Sequence, residues 1–192
     1  MTSVVIVGVG GQGSLLASRV LGALAISAQM DVKVSEVHGM SQRGGSVITH
    51  VRMDTSPVHS PLVEQGGADA VMALERLEAV RALPYLKEDG LIVANRQEIL
   101  PLPVIIGAAE YPSDIDARLA EHAKVVQLDA LKIATEIGVP RAANVVLMGA
   151  LSHAFSFTVE NWEDAIKACV PERFTDANLA AFEAGRAFKV SA

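Results

Sequence analysis

Ser3-Val4-Val5-Ile6-Val7-Gly8-Val9-Gly10-Gly11-Gln12-Gly13 is a short β-branched run that breaks into glycines, and the Leu- and Ala-rich stretch from Ser14 to Ala28 follows at once. The order reads as strand, glycine turn, helix. The glycines match G-x-G-x-x-G, a pattern that permits a tight turn, lets a ligand's phosphate approach the backbone and aims unpaired helix N–H groups at an anion. On the residues alone two readings stay open: a ligand loop built from Gly8, Gly10, Gly11, Gln12 and Gly13, or a plain turn closing a βα unit.

Working outward, Val32 to Val37 forms a second strand and Ser46 to Met53 a third, in which Val47, Thr49, Val51 and Met53 alternate with Ile48, His50 and Arg52. That alternation predicts a strand with one solvated face. Only the eight residues His38 to Gly45 separate these strands, whereas a parallel crossover takes about a dozen or more. The second and third strands are therefore expected to run antiparallel. Strands one and two, joined by a helix, run parallel, so the loops after both open at one carboxyl edge, where open α/β sheets place ligands.

In that second loop His38, Ser41, Gln42 and Arg43 lie between Gly39 and Gly44-Gly45. A guanidinium flanked by glycines suits a planar clamp on carboxylate or phosphate; the competing reading is an exposed or interfacial ion-pair partner. Glu36, 23 residues after Gly13, stands where a dinucleotide-binding protein holds a ribose. A turn rather than a helix follows it, which favours an ordinary surface or interface carboxylate.

Farther along, Ala70 to Leu74 reads as a strand, Arg76 to Leu83 as a helix stopped by Pro84, Leu91 to Ala94 as a strand after an Asp89-Gly90 turn, and Pro103 to Ile106 as another strand. Ser113 is placed to cap a helix through His122, Lys124 to Leu128 reads as a buried strand, and Ala130 to Ile137 as a helix closed by Gly138 and Pro140. From Asn144 only helical patterns follow, one opened by Glu160 or Asn161 and the next by Thr175 or Asp176. The expected fold is α/β: a Rossmann-like open, mostly parallel sheet flanked by helices, with an antiparallel strand pair after strand two and a helical C-terminal tail. Residues 1–192 form a single domain in this reading.

Composition limits the function. Hydrophobic residues make up 51% and charged residues 20%, against a usual charged share of about 25%, so either the interior is large or apolar surface meets another chain. With 16 Lys and Arg against 22 Asp and Glu there is no electrostatic footprint for nucleic acid. One cysteine, Cys169, cannot supply the thiolates of an iron–sulfur cluster or a structural zinc, and the histidines show no metal-ligand spacing; no metal site is expected. The N-terminus lacks a signal peptide's basic region and no apolar run is long enough to span a bilayer, so a cytoplasmic protein with no membrane contact is expected. Phe155, Phe157 and Trp162 fall within eight positions, as core or as an interface anchor.

Gly8-Val9-Gly10-Gly11-Gln12-Gly13 followed by Ser35-Glu36-Val37-His38-Gly39-Met40-Ser41-Gln42-Arg43-Gly44-Gly45-Ser46 resembles the gamma-type domain of the 2-oxoacid:ferredoxin oxidoreductases, most like the beta-subunit branch of the indolepyruvate enzymes. The likeness continues through Ser60-Pro61-Leu62, Gly67-Ala68-Asp69, Glu75 to Leu83, Tyr111-Pro112 and Asn144 to Leu151. The resemblance implies a complex that decarboxylates an aryl 2-oxoacid on thiamine diphosphate, passes electrons through iron–sulfur clusters to ferredoxin and transfers the acyl group to coenzyme A. It places thiamine diphosphate and the clusters on a larger alpha subunit, leaving this chain without a cofactor of its own. It assigns no catalytic residue here; the two glycine-rich loops are the candidates for ligand or interface contact. A stand-alone NAD(P)-dependent dehydrogenase and a non-catalytic stabilising module are the alternatives.

Overall fold

The structure, a computed structural model, describes residues 1–39 and 44–189. β1 (Thr2–Val9) leads into α1 (Ser14–Ser27), then β2 (Asp31–His38) and β3 (Ser46–Asp54). There follow β4 (Ala68–Ala73), α2 (Arg76–Ala82), β5 (Leu86–Asn95), α3 (Leu102–Ile105), α4 (Ile115–His122), β6 (Lys124–Leu128) and α5 (Ala130–Glu136). The chain closes with α6 (Ala143–Leu151), α7 (Val159–Cys169) and α8 (Thr175–Arg186). The strands form one sheet in the order β2-β3-β1-β4-β5-β6. β1, β4, β5 and β6 are mutually parallel, and β3 runs antiparallel to both β1 and β2. The short link between strands two and three thus gives the antiparallel pair that its length requires, and β3 is inserted between β1 and β2.

β1 is apolar at every central position because both of its faces are covered. Val4 and Ile6 face the core under α1 and the C-terminal helices, while Val5 and Val7 face the core under α2 and α4. α6 is buried along its whole length from Asn144 to Leu151, as a helix apolar on all sides must be. It lies between the sheet and α8, and α7 packs on α1. Trp162 stacks on Phe182 and tilts against Phe155, and both Trp162 and Phe182 are buried, so this aromatic group belongs to the core. A second layer of helices on one face accounts for much of the high apolar content.

Several elements depart from the sequence reading. Residues 103–106 are not a strand: Pro101 and Pro103 remove donors from any ladder, and the chain turns once as α3, with Val104 N and Ile105 N donating to the Pro101 carbonyl. Asp89-Gly90 is not a turn between elements but part of β5, where Ala68 pairs with Leu86 yet Ala70 pairs with Leu91; the turn residues accommodate a bulge. β6 is an edge strand, with Val126 and Leu128 buried but Lys124 exposed. Asp114 rather than Ser113 stands at the N-cap of α4. α7 is opened by Thr158, whose hydroxyl accepts from Asn161 N (3.3 Å) while the Asn161 side chain accepts from Thr158 N (3.1 Å), a reciprocal cap.

The supposed solvated face of β3 is also covered. Residues 55–67 fold back over it: Arg52 donates to the Leu62 carbonyl (2.9 Å), Val63 N donates to His50 Nδ1 (3.3 Å), and Tyr85 meets the imidazole edge to face. Burial pushes the His50 imidazole below its usual range, and protonating Nδ1 would break the bond from Val63. Between the ordinary histidine value of about 6.5 and the lower folded value, the unfolded chain binds the extra proton. Stability is therefore expected to fall as the pH drops through about 6.5, levelling below the folded value. Urea midpoints at about pH 7.5 and 5.5 should differ in the wild type and differ less in His50→Asn; equal differences would show that His50 does not contribute.

Among the described residues, no helix is long and apolar enough to cross a membrane.

Candidate functional site

The site grows from the end of β1. Because Val9 pairs with Ser46 across the antiparallel β1–β3 ladder, the two glycine-rich loops meet, and Gly10 N donates to the Gly45 carbonyl (2.9 Å). Gly11 and Gly13 hold φ of 102° and 90°, the left-handed region that glycine tolerates. A Cβ at Gly8 would lie 2.9 Å from both Leu74 Cβ and Gln12 Oε1, so this glycine lets β4 and the loop close together.

Gln12 fastens three segments. Its Oε1 accepts from Val9 N (2.7 Å), and its Nε2 donates to the Leu74 carbonyl (2.9 Å) and Gln97 Oε1 (3.0 Å). Asn144, at the start of α6, donates from Nδ2 to the Gly13 carbonyl (3.0 Å). Asn95 donates to the Leu74 carbonyl (3.2 Å) and accepts from Ala130 N (3.1 Å). These amides thus tie the ends of β1, β4 and β5 to one another and to the starts of α5 and α6. α1 begins at Ser14 with no side-chain cap and no acidic residue in its first turn, which leaves its N-terminal partial positive charge uncompensated by its own first turn.

Two cavities flank the glycine loop. The larger, about 590 Å³, is lined by Gly11 to Gly13, Asn95, Gln97, Arg141 and Asn144. It lies where β1 sends α1 to one face of the sheet and β4 sends α2 to the other, the switch point at which open sheets bind ligands. Among the described residues its lining carries one cation, Arg141, and no carboxylate. The smaller, about 400 Å³, is lined by Gly10, Gly11, Gly13, Ser14, Glu36 and His38. There Glu36 Oε2 accepts from Ser14 Oγ (3.3 Å) and Thr49 Oγ1 (3.2 Å). Backbone donors, amides and one guanidinium at the larger cavity are groups able to hold a polar or anionic ligand, whereas the smaller cavity carries the Glu36 carboxylate. A dinucleotide half places its second strand beside the first; here β3 separates them, which weighs against the dehydrogenase reading.

The structure thus brings together Gly8, Gly10, Gly11, Gln12, Gly13, Gly44 and Gly45, with His38 at the rim, its Nδ1 3.0 Å from the Gly39 carbonyl. Ser41, Gln42 and Arg43 lie outside the described residues. The sequence reading does not single out Asn95, Gln97 and Arg141. Their signal was polar residues directly after a buried strand, Asn95-Arg96-Gln97, and a Pro140-Arg141 step before a buried helix. Cys169 lines an adjoining, mainly apolar cavity of about 450 Å³ with Leu16, Val139 and Phe174, which shares Leu16, Pro140 and Arg141 with the larger cavity, and burial pushes its thiol up. Among the described residues no three His, Cys, Asp or Glu side chains gather as a metal site.

The chain matches the family model described as pyruvate ferredoxin/flavodoxin oxidoreductase over residues 3–188. A Pyrococcus horikoshii protein named indolepyruvate oxidoreductase subunit IorB is 42% identical over 189 residues, spanning 95% of this chain and 93% of the relative. Its namesake from Archaeoglobus fulgidus is 39% identical, over 95% of this chain and 92% of the relative. In fold, the gamma subunit of a keto/oxoacid ferredoxin oxidoreductase from Geobacter sulfurreducens superposes with a TM-score of 0.68 at 23% identity, covering 96% of each chain. The 2-oxoglutarate:ferredoxin oxidoreductase from Magnetococcus marinus superposes with a TM-score of 0.73 at 19% identity, over 97% of this chain but only 30% of that one. Matched along nearly its whole length, this chain belongs to the pyruvate ferredoxin/flavodoxin oxidoreductase family.

Proposed function

We propose that the chain is the smaller subunit of a complex that converts indolepyruvate and coenzyme A into indoleacetyl-CoA and carbon dioxide, with the electrons passing to ferredoxin. The observation that carries this reading is the ordering of the relatives. Those named for indolepyruvate are 36–42% identical over 95% of the chain, whereas those named for 2-oxoglutarate, pyruvate or ketoisovalerate stand at 26–30%. Residues 1–192 act in this reading as one gamma-type domain, in the cytoplasm with ferredoxin.

Thiamine diphosphate and the iron–sulfur clusters belong on the larger alpha subunit. A cluster takes several thiolates, and the single, half-buried Cys169 does not fit one. A diphosphate anchored through a divalent cation needs oxygen ligands, usually carboxylates, and among the described residues the two cavities together offer a single carboxylate, Glu36 in the smaller one. The larger cavity suits an anion directly. Coenzyme A is the long, anionic co-substrate of this reaction, and the glycine loop with its two cavities suits it: in the larger cavity the amides orient it and the Arg141 guanidinium meets negative charge, the glycines allow close backbone approach, and in the smaller cavity Glu36 is placed to accept from its hydroxyl or amine groups. On their residue types, Ser41, Gln42 and Arg43 belong to the same candidate loop.

Purification of the chain from its native host is expected to bring down a larger subunit carrying thiamine diphosphate and iron–sulfur clusters. The isolated chain should fold yet show no oxidation of indolepyruvate with a dye acceptor, activity appearing only on mixing with that subunit. Turnover by this chain alone would overturn the proposal.

A further inference from the structure

Between β5 and α4 an arm, residues 96–111, projects from the carboxyl edge with its large apolar side chains turned outward. Leu100, Leu102, Ile105 and Ile106 are 48%, 67%, 65% and 67% exposed. Leu102 and Ile105 on the single turn of α3 and Ile106 at its C-cap stand at i, i+3 and i+4, so they share one face, the spacing of a helical anchor that enters an apolar groove.

The arm is held in place from its base. Buried Glu75 accepts from Ile99 N (3.1 Å) and from the Tyr111 hydroxyl (2.9 Å), gripping both ends of the arm with one carboxylate. Arg76 N donates to the Gln97 carbonyl (3.0 Å), and the Arg76 guanidinium pairs with Glu98. The turn closes on itself through Ile106 N to the Leu102 carbonyl (3.1 Å) and Ala108 N to the Pro103 carbonyl (2.8 Å). An apolar face fixed in this way loses little conformational freedom on binding.

We infer that this arm is the docking anchor for the larger subunit of the complex, inserted into an apolar groove of that partner; the inference rests on the function proposed above. The exposed area selects the occupant. Four side chains at these exposures present on the order of 400 Å² of apolar surface, and a two-fold contact of the arm with a second copy would bury about twice that, below the roughly 1,200 Å² of a stable interface. A stable contact must therefore extend past the arm over the adjoining rim of the larger cavity, and a second copy seated there would close that edge to the subunit that holds the reacting centre. The arm continues into that rim without a break: Gln97, at its start, lines the cavity and bonds to Gln12 of the glycine loop. The subunit holding the reacting centre must approach this edge if coenzyme A is to reach it.

The double variant Leu102→Glu, Ile105→Glu tests this, since both positions are exposed and leave the core untouched. Titrated against the purified larger subunit, it should bind at least about 100-fold more weakly than the wild type, while its melting temperature and its binding of coenzyme A as a free chain stay at wild-type values. Undiminished association of the variant, with wild type associating normally, would overturn the docking inference and leave the proposed function standing. Failure of the wild type to associate at all would instead sink the proposed function. A concentration-dependent dimer of the wild type alone, lost in the variant by sedimentation, would assign the arm to a second copy and also overturn the inference.

Discussion

Gly185→Ala is expected to lower the melting temperature by about 6–12 °C, the shift that about 3 kcal/mol produces in a chain of this size. α8 crosses α6 at two glycines. A Cβ on Gly185 would lie 1.9 Å from the Val146 carbonyl oxygen and 2.8 Å from its carbon, and one on Gly149 would lie 2.0 Å from the Phe182 carbonyl oxygen. The opposing atoms are backbone of a buried helix, so no side-chain rotamer relieves the clash and the helices must separate. Separation would loosen Phe182 and Trp162, whose stacked rings fill the layer beneath. Gly22 provides the control, since it lies in α1 with nothing within 4 Å of its would-be Cβ. There alanine removes only backbone freedom of the unfolded chain, and Gly22→Ala should stabilise by about 0.5–1 kcal/mol. Thermal melts of the two variants should move in opposite directions; a Gly185→Ala protein melting with the wild type would show that α6 and α8 are not in this contact.

The parts of the fold legible in the sequence were those fixed by local chemistry. Eight residues cannot carry a parallel crossover, so the β2–β3 direction followed from a count, and the glycine fingerprint located β1, its turn and α1. What was not legible depended on distant segments. The alternation of β3 is genuine, but its polar side is covered by residues 55–67, which carry few apolar residues to announce it, and the cover binds through a backbone N–H and a buried imidazole. Residues 103–106 have the β-branched composition of a strand, but β6 already occupies that edge of β5 and the prolines favour a turn. The same limit applies to the site. Its glycines fall in two short motifs that the sequence displays directly, whereas Asn95, Gln97, Arg141 and Asn144 converge only because the end of β5 and the start of α6 meet at one edge of the sheet.

Substituting the glycine loop should separate its role in folding from its role in binding. At Gly13 a side chain must adopt φ near 90°, and its Cβ would lie 2.5 Å from Asn144 Nδ2, the donor to Gly13's own carbonyl. Backbone strain and the broken contact together predict that Gly13→Val destabilises by about 2–4 kcal/mol. Gly11 holds φ of 102° but has nothing within 4 Å of a would-be Cβ, so Gly11→Val carries the strain alone, about 1–3 kcal/mol. Gly11 lines both cavities, and a valine there stands where the proposed coenzyme A must pass from one to the other. In the assembled complex Gly11→Val is therefore expected to raise the KM for coenzyme A by about tenfold or more, the effect of losing roughly 1.4 kcal/mol of binding, with the KM for indolepyruvate unchanged. Steady-state kinetics with each substrate varied in turn, beside thermal melts of both free variants, give the comparison. If both variants lose activity only in proportion to their loss of folded protein, the loop is a turn that closes β1 onto α1 and coenzyme A is held elsewhere.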